Sequence, residues 1–218
     1  MNNKKAILAV LALMVLTLAG VTGYYWYNSV YYVKTEDARV DGDIYRVSPQ
    51  IAGEILEVKV QEGDVVRAGQ VIARMDDAAL PPGGNVDLAL VKSPISGVVI
   101  KKLAHAGEIG APGQPVVLVI KPQELYVTAN IEETEVHKVR VGQPVDIILD
   151  SIPGEKFAGQ VDYIGEATLS TFSLLPRTNA DGNFTKVVQR IPVRIKFKDV
   201  DSSRLLYGTN AVVKIHVR

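Results

Sequence analysis

The hydrophobic pattern falls into three textures along the chain. From Ala6 to Gly23 the residues carry no charge and are mostly apolar, and Tyr24-Tyr25-Trp26-Tyr27 follows directly. Such a run predicts a helix of roughly 20 residues, about 30 Å long at 1.5 Å per residue, which is enough to span a bilayer with the aromatic cluster at headgroup level. From Arg46 onward apolar residues recur at every second position. Leu56, Val58 and Val60 alternate with Glu57, Lys59 and Gln61, the period of a half-buried strand. Val71, Ala73 and Met75 resume the pattern, and Val116 to Ile120 is apolar throughout, as expected of a strand buried on both faces.

The stretch from Arg46 to Lys121 is written twice. At a constant offset Gly53 falls on Gly97, Gly63 on Gly107, Gly69 on Gly113 and Gln70 on Gln114. Each copy is then a supersecondary unit that cannot bury its apolar face alone, and two copies make one small β-sandwich. The glycines stand where tight turns or bulges need positive φ or a close backbone approach. Between the copies, Asp76 to Leu90 contains Pro81-Pro82-Gly83-Gly84, which forbids a continuous helix and predicts a loop with at most one helical turn on either side.

After Lys121-Pro122 the third texture begins. Strands are predicted at Tyr126–Ile131, Val145–Leu149, Phe157–Tyr163, Val187–Lys198 and Val213–Arg218, with a short helix from Glu132 to Val139. Pro192 within the fourth of these predicts an edge position or a bulge. Several short strands with regular turns predict a small barrel or sandwich. Ala167 to Lys186 is a long irregular segment whose Phe172, Leu174, Leu175 and Phe184 are too apolar for ordinary loop solvation. Together with Arg177 these residues are the candidate docking surface, for a partner or for a membrane; the competing reading folds them back onto their own domain.

Composition narrows the function. Lys and Arg (24) balance Asp and Glu (24) and are interspersed with them, so no basic stripe is available for a nucleic-acid backbone. With no cysteine there are no disulfides, no thiolate chemistry and no cysteine zinc site. His105, His137 and His216 lack metal-ligand spacing, and no hydroxyl has a nearby histidine context, so no catalytic, cofactor or metal residue is nominated. Glu36, Asp37, Asp41 and Asp43 match no calcium loop and read as solvated strand and turn. Lys4 and Lys5 ahead of the apolar run place the N-terminus in the cytoplasm and everything after Asn28 outside. A cleaved signal peptide ending near Thr17-Leu18-Ala19 is the alternative.

The doubled glycine pattern resembles the biotinyl/lipoyl domain, but no lysine occurs between Ala73 and Val91 to carry a cofactor, so none is expected. Thr35-Glu36-Asp37-Ala38, Ser48-Pro49-Gln50-Ile51-Ala52-Gly53, Ser93-Pro94-Ile95-Ser96-Gly97, Arg140-Val141-Gly142-Gln143-Pro144, Phe172-Ser173-Leu174-Leu175-Pro176 and Lys186 to Ile195 look like the HlyD/EmrA-type membrane fusion proteins. The resemblance implies a mainly β chain organised as a cytoplasmic tail (1–5), a transmembrane anchor (6–27), a membrane-proximal strand or linker (28–45), a lipoyl-like sandwich (46–121) and a β-barrel (122–218). It also implies a non-catalytic adaptor in the cytoplasmic membrane with its bulk in the periplasm or outside. Such an adaptor would form a homo-oligomer around an efflux or secretion transporter, for the EmrA-like branch one of the major facilitator type. An envelope scaffold of the same fold with no transport role is the alternative. Where relatives insert a coiled-coil hairpin, this chain has only the loop 76–90. Legs of about six residues reach only about 10 Å, so direct docking to an outer-membrane channel is not expected.

Overall fold

The computed structural model describes residues 2–78, 80, 85–168 and 188–217. Helix α1 (Asn2–Tyr31) runs straight into β1 (Tyr32–Asp41). There follow β2 (Ile44–Val47), β3 (Gly53–Val58), β4 (Val65–Val66), β5 (Val71–Met75), β6 (Leu90–Lys92), β7 (Gly97–Lys102), β8 (Ile109–Gly110) and β9 (Val117–Ile120). The last third holds β10 (Tyr126–Glu132), α2 (Glu133–Val136), β11 (Pro144–Leu149), β12 (Phe157–Ile164), β13 (Arg190–Phe197) and β14 (Asn210–His216). The chain divides into two units: residues 1–40, 127–200 and 208–218 in one, residues 41–126 and 201–207 in the other.

The second unit is two four-stranded sheets, β2-β9-β7-β4 and β6-β5-β3-β8. The repeat governs their register residue by residue. Ile55 stands opposite Met75 as Val99 stands opposite Val119, and Val58 opposite Ala73 as Lys102 opposite Val117. The core obeys it too, because Val47/Val91, Ile55/Val99, Ile72/Val116, Ala73/Val117 and Met75/Val119 are equivalent pairs and all are buried. The short strand of each copy crosses to the other copy's sheet: β4 pairs with β7, and β8 pairs with β3. Neither copy closes its sheet alone, which is the physical content of the repeat.

Leu56 was expected on the buried face of its strand and is exposed, with Ile55 buried in its place. The register jumps between Ile55 and Glu57, so Leu56 is the extra residue of a bulge, and the alternation reverses there. Of the repeated glycines, Gly63, Gly69, Gly107 and Gly113 have φ between 80° and 92°. Gly97 serves the other purpose: a Cβ there would lie 2.1 Å from the carbonyl oxygen of Ile120. Between β5 and β6, Asn85 accepts a hydrogen bond from the Asp87 amide and caps a single 3₁₀ turn at Val86–Ala89. The link follows Met75, which pairs with Ile55 near the start of β3, while the chain enters and leaves the sandwich at the paired residues Ile44 and Ile120.

The first unit contains a closed barrel, β1-β10-β13-β12-β11-β14. Closure decides between the two architectures the sequence left open, and it makes the segment read as strand or linker a stave of the barrel. Inward residues such as Val33, Val127, Ile131, Ile147, Val193, Ile195 and Ile215 are fully buried. A closed barrel has no edge, so the edge expectation for Pro192 is overturned. In an antiparallel pair the N–H and C=O of one residue face the same neighbour. The Pro192 carbonyl accepts from the Gly165 amide (2.8 Å), one residue past the end of β12, so its missing donor faces a place where the ladder has already stopped. The bulge lies on β12, at Asp162. Helix α2 is a single turn, shorter than the predicted Glu132–Val139, although Val139 is buried as its pattern required.

Candidate docking surfaces

The strand pairings fix which loops share a rim of the barrel. Tyr32 stands opposite His216, Val145 opposite Ile215, Pro144 opposite Gln160 and Ile164 opposite Val193, while the Glu133 amide donates to the Gln189 carbonyl at 2.9 Å. One rim therefore carries the end of α1, the turn from α2 to β11, the end of β12 and the start of β13. The candidate docking residues Phe172, Leu174, Leu175, Arg177 and Phe184 lie outside the described residues. Their segment springs from this rim, because its stems are Ile164–Thr168 on one side and Val188–Arg190 on the other. Sequence reasoning nominated the segment from its composition; that α1 enters at the same rim follows only from the register.

Helix α1 joins the rim without a spacer. The Val217 amide donates to the Tyr31 carbonyl (3.0 Å), and Lys138 Nζ donates to the Ser29 carbonyl (3.4 Å). The Tyr27 ring stacks on Tyr31 at 4.4 Å, His216 meets the Tyr32 ring edge-on at 5.0 Å, and Lys214 sits 3.6 Å over that ring. Residues 10–31 of α1 are long and apolar enough to cross a membrane, with mean hydropathy 1.5, and among the described residues none of the spanning window is buried.

The motif Thr35-Glu36-Asp37-Ala38 occupies a bulge in β1, where the register with β14 jumps between Thr35 and Ala38. The bulge turns Asp37 toward β10 and β13. Its carboxylate accepts from the Asn130 amide group (3.0 Å) and pairs with the Arg190 guanidinium. Thr35 Oγ1 donates to the Asn130 carbonyl at 3.0 Å. A small polar cavity of about 120 Å³ adjoins this clasp, lined by Lys34, Thr35, Asn130, Glu132, Glu135 and Arg190 among others. The clasp ties β1, the stave continuous with α1, to the first residue of β13, where the long segment ends. The acidic group there was expected to be solvated strand and turn. Asp37 departs from that in having two strand-to-strand partners, and the only sequence signal was the resemblance carried by the motif itself.

No group of three or more His, Cys, Asp or Glu residues placed to hold a metal ion occurs among the described residues. His105 pairs with Glu108 at 3.3 Å on the sandwich surface, His137 is exposed after α2, and His216 pairs with Asp146 at 3.0 Å on the barrel wall. The three are not brought together.

Residues 39–121 match the family described as the RND MFP, barrel-sandwich hybrid domain, and residues 124–216 the AAEA-like beta-barrel domain. YhbJ of Bacillus subtilis, named as a candidate efflux system component, is 38% identical over 188 residues, covering 86% of this chain and 81% of YhbJ. The chain belongs to the membrane fusion proteins of the HlyD/EmrA type. It is an adaptor of the efflux class and not an enzyme. The colistin resistance protein EmrA of Acinetobacter baumannii is 43% identical over 54% of this chain, which spans only 33% of that relative. Several other named relatives are likewise matched over about a third of their own length. The periplasmic adaptor protein EmrA has the same fold, with a TM-score of 0.60 at 15% identity over 86% of this chain and 99% of that structure.

Proposed function

We propose that this membrane fusion protein is anchored once in the cytoplasmic membrane through α1, with Lys4 and Lys5 inside and the barrel and sandwich outside. It assembles as a homo-oligomer against the outer face of an efflux transporter of the major facilitator type. The observation that carries this reading is the shared rim. The apolar helix and the segment bearing Phe172, Leu174, Leu175, Arg177 and Phe184 leave the barrel at one end, so a partner held in the membrane is within reach of that segment. Multidrug export is the activity named for several relatives, including EmrA of Escherichia coli, which supports a transporter of small toxic compounds as the partner.

A link of only residues 76–89 between β5 and β6, with one 3₁₀ turn among its described residues, supports an adaptor that works without direct contact to an outer-membrane channel. That reading fits YhbJ, 81% of whose length is covered by this chain, better than the relatives of which it spans a third. Deleting the protein in its host should raise susceptibility to the transporter's substrates. The deletion should have no further effect once the transporter gene is also removed. Unchanged susceptibility would favour the scaffold alternative.

A further inference from the structure

We propose that the rim at which α1 enters the barrel is itself a lipid-binding surface, lying on anionic headgroups through the turn Arg140-Val141-Gly142-Gln143. The proposal rests on the reading of α1 as a membrane span. The apolar stretch ends at Tyr31 and β1 begins at Tyr32, so the rim starts within two helical turns of the aromatic cluster Tyr24 to Tyr27, at the level of the headgroup layer. Two backbone-directed hydrogen bonds, Val217 to Tyr31 and Lys138 to Ser29, hold the rim to the last turn of the helix.

The exposed apolar residues of the barrel are concentrated there. Among the described residues of the first unit beyond α1, four large hydrophobic side chains are exposed: Val141 (64%), Val188 (49%), Tyr163 (47%) and Ile148 (36%). The three most exposed belong to the α1 rim, on three different elements; Ile148 lies toward the other end, opposite Val212. Each apolar residue of the rim has a cation near it in sequence or space. Arg140 precedes Val141, Arg194 stacks on Tyr163 at 5.8 Å, and Arg190, two residues after Val188, is held in the clasp with Asp37, which leaves Arg140 and Arg194 as the cations offered to phosphate. Apolar tips flanked by cations suit the headgroup layer, where the tip enters the acyl boundary and the charge meets phosphate. The turn is stiff enough to act as a fixed probe. Gln143 Oε1 accepts the Arg140 amide at 2.8 Å, Gly142 takes φ 92°, and Arg140 Nη1 donates to the His137 carbonyl at 3.1 Å. Val141, at the turn's second position, is 64% exposed among the described residues.

The chain has no cysteine, so single probes can be placed on the full-length protein. Val141→Cys, Ile148→Cys and Leu16→Cys, each carrying an environment-sensitive fluorophore, are reconstituted without any transporter. The liposomes are phosphatidylcholine with or without phosphatidylglycerol, and lipids spin-labelled near the headgroup or in the chain serve as quenchers. The proposal expects strong quenching at 141 by headgroup-labelled lipid and none at 148. Arg140→Gln or omission of phosphatidylglycerol should reduce the docked fraction at 141 about five-fold, the effect of one basic residue at an anionic surface, while Arg140→Lys retains it. A probe at 141 as exposed as the one at 148 overturns the proposal, and so does quenching at 141 that appears only when a transporter is added. If the Leu16 probe also escapes chain-labelled lipid, the membrane-span reading falls with it; if Leu16 is quenched, only the rim proposal falls.

Discussion

Gly53 and Gly97 are mates in the repeat, yet their surroundings differ. A Cβ on Gly97 would sit 2.1 Å from the Ile120 carbonyl oxygen, whereas on Gly53 the nearest atom, the Asp76 carbonyl oxygen, is 3.5 Å away. Gly97→Ala should therefore cost about 3 kcal/mol or more, since backbone cannot yield as a side-chain tip can, while Gly53→Ala should stay within about 1 kcal/mol. Urea unfolding of the detergent-solubilised chain, followed by circular dichroism, separates the two. Acid sensitivity can be traced to single residues as well. Glu62 accepts the Lys102 amide across the repeat at 3.1 Å, with Lys101 Nζ at 3.6 Å, and these interactions, the amide bond first, hold its carboxyl below the usual glutamate range. A group whose folded-state pKa is depressed stabilises the fold above its unfolded value, about 4.3, and loses that contribution as pH falls through the folded value. Glu62→Gln should accordingly flatten the decline of thermal stability below about pH 4.3 and leave the neutral plateau's shape unchanged. An identical acid limb in the variant would contradict the assignment.

At the scale of elements, one turn is used in both units. Gln70 Oε1 accepts the Arg67 amide and Gln143 Oε1 accepts the Arg140 amide, at 2.9 and 2.8 Å, each beside a glycine of positive φ, Gly69 and Gly142. Replacing either glutamine with alanine should cost about 1 kcal/mol, the net worth of one such hydrogen bond, and the two losses should add because the turns are in separate units. Pro192→Ala should be close to neutral, within about 1 kcal/mol, since the restored N–H faces a finished ladder. These elements also show what could be read in advance. The glycine offset was visible in the sequence, and it carried the register and the core pairs with it. Hidden was the exchange of β4 and β8 between the copies, because two-residue strands have no period to detect. Leu56 and β1 were obscured for a related reason: a bulge adds one residue and reverses the apolar face, so strict alternation fails at Leu56 and again between Thr35 and Ala38. The site was half legible. Composition nominated the segment 167–186, but only pairings distant in sequence show that its stems and α1 share a rim.

For the whole molecule, the arrangement is of an apolar helix long enough to cross a membrane, continuous with one stave of a barrel, and a two-copy sandwich built on a separate core. The Asp37–Arg190 clasp, with Asn130, links that stave to the strand on which the long segment ends. Asp37→Asn should leave the barrel folded, because the pair is exposed and each side chain is more than two-fifths accessible. Its expected effect is on assembly with the transporter, seen as reduced co-purification at unchanged melting temperature. The short link between β5 and β6 limits the reach of the sandwich, so the partner that matters is sought at the α1 rim. Site-specific photocrosslinking from Phe172 and Phe184 in intact host membranes, with mass-spectrometric identification of what is captured, tests this most directly. The account predicts adducts to the extracytoplasmic surface of a polytopic efflux transporter, lost when that transporter is deleted. Adducts confined to the chain's own barrel, unaffected by loss of any transporter, would contradict it.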